Sequence, residues 1–273
     1  MCLSPGVLPP MGGSPARCAV DHRHMRDLNV ETFRPGESSH QPTEATSAAK
    51  WLGNGRIGSP KFWTATALTA LAGFNDAVGY SALGHLYLSF MSGNSTHFGM
   101  SLASADGTGI LLAGSIILSF VLGSAVGTAI GDRFPQSMER RILAVELAIV
   151  LWAVVGSQLG AGAAALVPVA GAMGMQNVLH QLVRGVDVGK GFITGSLFGL
   201  GQSLARVAMG QAQGAAAFQN GWSWVSFVTG VSVGATVFHA LGLPSALGAV
   251  AIALAAMVCW LGAGRSQAPE RPA

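Results

Sequence analysis

Asp76 stands almost alone as a charge: between Phe62 and Gly131 the chain carries only Asp76 and Asp106. A carboxylate at the middle of a membrane helix costs about 2.5–3.5 kcal/mol on insertion scales, so it faces a partner or a polar cavity. Such a group suits cation binding or reversible protonation in a carrier. A plainer role is to reach headgroups from a helix end, or to bond Ser92 or Asn94 as structural glue. Asn75, Gln176 and Asn177 add amides that fit polar groups or ions and fit interhelical hydrogen bonds equally well.

Ser92-Gly93-Asn94-Ser95-Thr96 joins a glycine to side chains that favour helix N-caps. A backbone break there leaves free N–H groups and a helix N-terminus, which favour an anionic group. Thr194-Gly195-Ser196 offers the same chemistry, with Gln202 one helical stretch further on. Alternatively, these are small residues at helix contacts, with each hydroxyl bonded to its own helix. Gln202, His97 and His180 rank below them, the last two as single histidines. Glu146 lies close to Arg140 and Arg141, and a favourable charge near a helix start plus a salt bridge accounts for it.

No Ser/His/Asp set, Cys/His pair, HExxH or phosphate-cradling loop occurs, so no enzyme is expected. Cys2, Cys18 and Cys259 lack any ligand spacing, and neither a metal nor a cofactor is implied.

The elements that must position these groups are set by an apolar composition. The chain is 50% hydrophobic and 10% charged, against about 25% charged in soluble domains. It has 27 charged residues (15 basic, 12 acidic), of which twelve precede Phe62, and none lies between Val207 and Gly264. The small positive balance belongs to tails and loops, and no nucleic-acid surface is expected. Residues 1–61, rich in Pro, Gly, Ser and charge, read as a disordered tail; Pro5, Pro9 and Pro10 interrupt any signal-peptide core. Residues 265–273 form a second tail.

A helix needs about 20 apolar residues to span the hydrocarbon. Six stretches qualify: 62–82, 109–131, 142–161, 163–183, 222–242 and 245–264. Two more, 86–104 and 191–208, are shorter and wetter. The expected fold is therefore an all-α polytopic membrane protein of about six spanning helices plus two broken or re-entrant polar segments.

The wet segments repeat one another. Phe90-Met91-Ser92-Gly93 with Gly99-Met100-Ser101-Leu102-Ala103 matches Phe192-Ile193-Thr194-Gly195 with Gly201-Gln202-Ser203-Leu204-Ala205, an offset of 102 (192 minus 90). Ser119-Phe120-Val121-Leu122-Gly123 and Gly127 match Ser226-Phe227-Val228-Thr229-Gly230 and Gly234, offset 107. Gly73-Phe74-Asn75-Asp76 faces Gly174-Met175-Gln176-Asn177, offset 101, and Val150 and Trp152 face Val258 and Trp260, offset 108. Matches in one order with slowly drifting offsets indicate a duplicated unit, with repeats at 62–161 and 163–264. At the last offset, Glu146 corresponds to Leu254.

Charge then sets topology, because cytoplasmic loops carry Lys and Arg. The positives fall at Lys50, Arg56 and Lys61; at Arg133, Arg140 and Arg141; at Arg184, Lys190 and Arg206; and at Arg265 and Arg271. All of them lie inside only if the two wet segments enter and leave on one side. Each half then crosses three times, so the repeats are inverted, a recurring plan in transporters and channels.

Gly73-Phe74-Asn75-Asp76-Ala77-Val78-Gly79-Tyr80, Phe90-Met91-Ser92-Gly93-Asn94, Gly174-Met175-Gln176-Asn177 and Ile193-Thr194-Gly195 with Leu200-Gly201-Gln202 resemble the YoaK family. That family comprises bacterial six-helix membrane proteins of unknown function. The resemblance covers about Phe62 to Gly264. It implies a plasma-membrane location and supplies no substrate; Gly195-Ser196-Leu197 departs from the family's frequent Thr-Gly-Thr run.

Together these features predict a permease or channel for a small polar solute or ion, in contact with membrane lipids. Asn75, Asp76, Ser92, Gly93, Asn94, Gln176, Asn177, Thr194, Gly195, Ser196 and Gln202 are its candidate site, with helix breaks at Gly93 and Gly195. A non-transporting binding or sensor protein is the alternative. With both termini and the Arg133–Arg141 loop cytoplasmic, an impermeant thiol reagent added outside should miss Ser137→Cys and Ser266→Cys. Outside labelling of Ser137→Cys would instead require eight crossings and parallel repeats.

Overall fold

The computed structural model describes residues 58–184 and 192–263. The expected tails before residue 58 and after residue 263, and the connection 185–191 with Lys190, lie outside the described residues, as do the side chains of His180 and Arg184. Every regular element described is helical: α1 (Pro60–Ala82), α2 (Met91–Ala103), α3 (Gly107–Arg133), α4 (Met138–Gln158), a 3-10 turn (Gly162–Ala165), α5 (Leu166–Arg184), α6 (Phe192–Ala208) and α7 (Ala215–Ala263).

Local sequence sets where these helices start and stop. The Phe62 N–H donates to Ser59 Oγ at 3.2 Å, and Pro60 takes the first helical position, where its missing N–H costs nothing. Asp106 caps α3 by accepting from the Thr108 N–H at 3.1 Å. Within α7 the backbone leaves helical geometry at Gly242 (φ 78°, ψ 176°), with Pro244 following. Proline cannot donate to the helical ladder and clashes one turn back, and Gly242 adopts the positive φ that results. The two apolar stretches expected at 222–242 and 245–264 are the two arms of α7, separated there.

The helices associate through backbone contact at small residues. Along α1 and the first arm of α7, a Cβ on Gly230 would meet the backbone of Ala70. One on Gly234 would meet Phe74, and one on Gly73 would meet Phe227 and Val231. Along α3 and α5, a Cβ on Gly123 would meet the backbone of Gly171. One on Gly127 would meet Met175, and one on Gly174 would meet Phe120 and Ser124. Each contact in the first set becomes one in the second when residues of α7 are shifted by 107 and those of α1 by 101. The duplication legible in the sequence is thus a duplication of packing: the same close approach is made twice between corresponding residues. Ser119 Oγ donating to Val167 O (2.8 Å) and Ser124 Oγ to Gly174 O (3.1 Å) bind the second pair further. α2 packs on α3, α6 on α7, and α4 on α5 and α7.

The outer surface is apolar. Leu111, Leu118, Leu122, Leu151, Trp152 and Ile252 are exposed, whereas Asn75, Asp76, Asn94, Glu146 and Gln176 are buried. Greasy outside and polar inside is the arrangement a bilayer selects. Four described stretches are long and apolar enough to cross one: Gly107–Arg133, Met138–Gln158, Gly162–Leu179 and Ala215–Leu261. The last contains the break at Gly242. α1, with 23 residues, has the length but carries Asn75 and Asp76. Rings gather at both of its ends: Phe62, Trp63, Phe218 and Trp222 at one, Tyr80, His85, Tyr87 and Phe90 at the other.

One expectation is corrected. The first polar interruption lies not at Gly93 but before it, at residues 83–90, where Gly84 (φ 65°) and His85 (φ 74°) turn the chain. Gly93 sits in the first turn of α2, and a Cβ there would strike the rings of Phe90 and Tyr87. It makes room for that aromatic turn. Gly195 likewise lies inside α6, in its first turn, because a glycine in a first turn need not break a helix whose start is fixed upstream.

Replacing Gly230 or Gly123 with Val should lower stability by about 1–3 kcal/mol, the usual cost of overpacking. Gly248→Val, at a position with open space around it, should leave stability nearly unchanged. Thermal unfolding of the detergent-purified protein measures both.

Candidate functional site

α1 holds Asn75 and Asp76 side by side, both buried. Neighbouring residues on a helix point about 100° apart, so they address different surroundings. Asp76 faces the returning loop. Its Oδ1 accepts the backbone N–H groups of Leu88 (2.9 Å) and Ser89 (2.6 Å), and its Oδ2 accepts the Ser89 hydroxyl (2.8 Å). Asn94, at the start of α2, grips the same loop: its Oδ1 accepts the Tyr87 N–H (2.9 Å) and its Nδ2 donates to Tyr87 O (2.7 Å). Non-helical backbone at membrane depth must be satisfied by protein or by water in a cavity. Asp76 and Asn94 supply those partners, and their polar atoms are engaged in doing so.

Asn75 faces α5. Its Nδ2 lies 3.5 Å from the Met173 sulfur, and its Oδ1 is buried without a hydrogen-bond partner among the described residues. One turn along α5 from Met173, Gln176 is 2% exposed and its Nε2 is also unpartnered. Asn75 and Gln176 occupy corresponding positions of the two repeats (176 minus 75 is 101). α1 thus carries one unused acceptor, and α5, one turn from its contact with Asn75, one unused donor.

The other sequence-selected residues are placed differently. Ser92, Thr194 and Gln202 are exposed, and Gly93 and Gly195 are half-buried. Ser95 and Thr96 bond the carbonyls of Met91 and Ser92 one turn back, at 2.8 and 3.0 Å. Asn177, half-buried, donates to Met173 O on its own helix at 3.2 Å. Its counterpart Asp76 binds the loop before α2; the residues before α6, 185–191, lie outside the described residues. Ser196 is buried, with its hydroxyl 3.5 Å from that of Ser223 on α7. No group of three or more His, Cys, Asp or Glu suited to a metal occurs among the described residues.

Glu146 overturns its sequence reading. It is wholly buried, and neither carboxyl oxygen has a partner among the described residues. Arg141 instead directs its Nε to Ser137 Oγ (2.9 Å) and lays its guanidinium over the Phe134 ring (3.8 Å), while Arg140 is exposed. The reason lies in where α4 begins. With the helix starting at Met138, Glu146 is about two turns, or 12 Å, inside it. The signal available in the sequence was the spacing Ile142, Glu146, Val150, Ala153, which puts Glu146 on the core face.

Residues 64–260 match the family described as a protein of unknown function, DUF1275. The chain belongs to that family. A curated relative, the UPF0700 transmembrane protein RA0705 of Rhizobium meliloti (strain 1021), is 34% identical over 145 residues, or 53% of this chain and 61% of the relative. The chain thus spans about three fifths of that relative's length. No solved structure matches. The family match is consistent with the motif resemblance to YoaK proteins without carrying that name. For this DUF1275 protein, membership and a transmembrane relative agree with the apolar helices in making it a membrane protein.

Replacing Asp76 with Leu should leave the Leu88 and Ser89 N–H groups and the Ser89 hydroxyl without their acceptor. With hydrogen bonds to a carboxylate worth roughly 1.5–3 kcal/mol each, the loss should reach on the order of 3 kcal/mol, whereas Asp76→Asn should lose less. Thermal unfolding, with proteolysis at residues 83–90 as a local readout, checks this order; equal stability of both variants would dissociate Asp76 from the loop.

Proposed function

We propose that this protein is a plasma-membrane permease for a small polar solute or ion, with its binding site at the α1–α5 crossing. The observation that carries the reading is the pair of unused polar atoms, Asn75 Oδ1 and Gln176 Nε2, buried at corresponding positions of two repeats. A buried amide atom without a partner costs about 1–3 kcal/mol, and a ligand presenting one donor and one acceptor relieves that cost at both. The topology proposed with it has six crossings: α1, α3, α4, α5 and the two arms of α7. The repeats are inverted and both termini are cytoplasmic, as the distribution of Lys and Arg requires. In such a plan the first helices of the two halves meet near the midplane, where transporters of this architecture bind substrate. The short helices α2 and α6 pack on α3 and α7, with Asp76 and Asn94 fixing the loop that leads into α2.

A second reading has one observation in its favour. Asp76 and Asn94, the polar residues most conspicuous in the sequence, are engaged by backbone, as expected of a binding or sensor protein whose polar groups stabilise the bundle.

Reconstituted vesicles challenged with small amides, polyols and monovalent cations separate the two. A permease should raise flux of one class above protein-free vesicles. Asn75→Leu and Gln176→Leu should each lower that flux about tenfold or more, the equivalent of one buried hydrogen bond of roughly 1.4 kcal/mol. Flux unaltered by both substitutions would remove the site from the crossing. Folded protein with no flux across the whole panel would leave the sensor reading.

A further inference from the structure

Glu146 has no part in the site at the α1–α5 crossing, and nothing in the packing of α4 requires a carboxyl. It lies in the row Ile142, Glu146, Val150 and Ala153, all buried. Both of its oxygens are enclosed and unpartnered. The corresponding residue of the second repeat, Leu254, is apolar and equally buried, so the same position is filled elsewhere in this chain by a side chain that carries no polar atom. An isolated ionised carboxylate in an apolar interior is far more costly than a neutral acid. Among the described residues, no titratable group of a packed element bonds it. On α4 itself Glu139 is half-buried in the first turn, Arg140 is exposed, and Arg141 is held by Ser137 and Phe134. On α3 Asp132 and Arg133 are exposed near the helix end, and on α7 His239 and Cys259 are exposed. The described part of α5, 166–179, contains none.

We propose that Glu146 is a proton-binding site. The conformation described here holds it as a neutral carboxylic acid, and it releases its proton when the core face of α4 opens to water. One proton adds to or leaves one carboxyl oxygen, and no other group reacts. A free glutamate is ionised in neutral water, so the enclosed and the water-exposed arrangements differ by one bound proton. Acid therefore favours the enclosed arrangement and alkali the open one. The inference stands apart from the transport reading, since it concerns protonation of a side chain on α4 and no solute.

Infrared difference spectroscopy on the full-length protein in lipid vesicles tests it, comparing wild type with Glu146→Leu, the side chain the second repeat already accommodates. Subtracting the variant spectrum should leave the carbonyl band of a protonated carboxyl at mildly acidic pH. That band should shrink reversibly, with growth of carboxylate bands, as the pH is made mildly alkaline. Should Glu146→Leu fail to fold, Glu146→Gln, of nearly the same shape, serves for the subtraction. A carboxylate signature already present at acidic pH would overturn the proposal by revealing an ionised, partnered group. A protonated band that never changes with pH would overturn it as well, leaving Glu146 a fixed neutral acid that exchanges nothing.

Discussion

Lipid tails are as apolar as the side chains that touch them, so helices in a bilayer are not driven together by the hydrophobic effect and must gain by close packing. In this protein that gain comes from backbone lying on backbone, Gly230 against Ala70 and Gly123 against Gly171. Everything else hangs on those two contacts. They fix α1 to the first arm of α7 and α3 to α5, and they set the depth at which Asn75 meets Met173. The short helices α2 and α6 then pack on one member of each pair, α3 and α7. A single Cβ at either contact would push a helix away from its partner, and the polar residues between would lose their alignment.

The polar residues inside this frame fall into two kinds. Asp76 and Asn94 close hydrogen bonds to an irregular stretch of backbone that lipid cannot solvate, and the loop 83–90 folds back along α1 because they do. Asn75, Gln176 and Glu146 retain atoms with no partner. Native interiors tolerate few such atoms, and those present call for a reason. In a membrane protein an enclosed polar or ionisable side chain marks a functional position by default. The division by hydrogen bonding reverses the ranking by residue type alone, in which Asp76 stood first and Glu146 stood among the residues already accounted for.

The two repeats share a packing scheme without sharing their chemistry. Asp76 corresponds to Asn177 and Glu146 to Leu254, so each carboxyl occurs in one half alone, whereas the glycines of the contact surfaces occur in both. Duplicated packing with divergent polar residues gives a frame of near-equivalent halves in which one half carries both buried acids, Asp76 and Glu146. Such asymmetry puts different polar chemistry on one shared packing frame.

The amino-acid sequence by itself determined the membrane class, the apolar stretches that became α1, α3, α4, α5 and the arms of α7, and the register of the duplication. These are properties of single segments: length and hydropathy decide insertion, and a shift of 101 to 108 residues is visible without any contact. Only the tertiary structure decided which polar groups are engaged. Gly93 looked like a break because glycine tolerates any backbone, but the interruption went to 83–90, where Asp76 and Asn94 could reach its N–H and carbonyl groups. Glu146 looked like a helix-start charge because the Arg pair stood near it in sequence. With α4 starting at Met138, it stands two turns inside the helix on the core face, while Arg141 is engaged by Ser137 and Phe134. Hydrogen-bond partners depend on distances of a fraction of an ångström between residues far apart in the chain, and these are not written in any one segment.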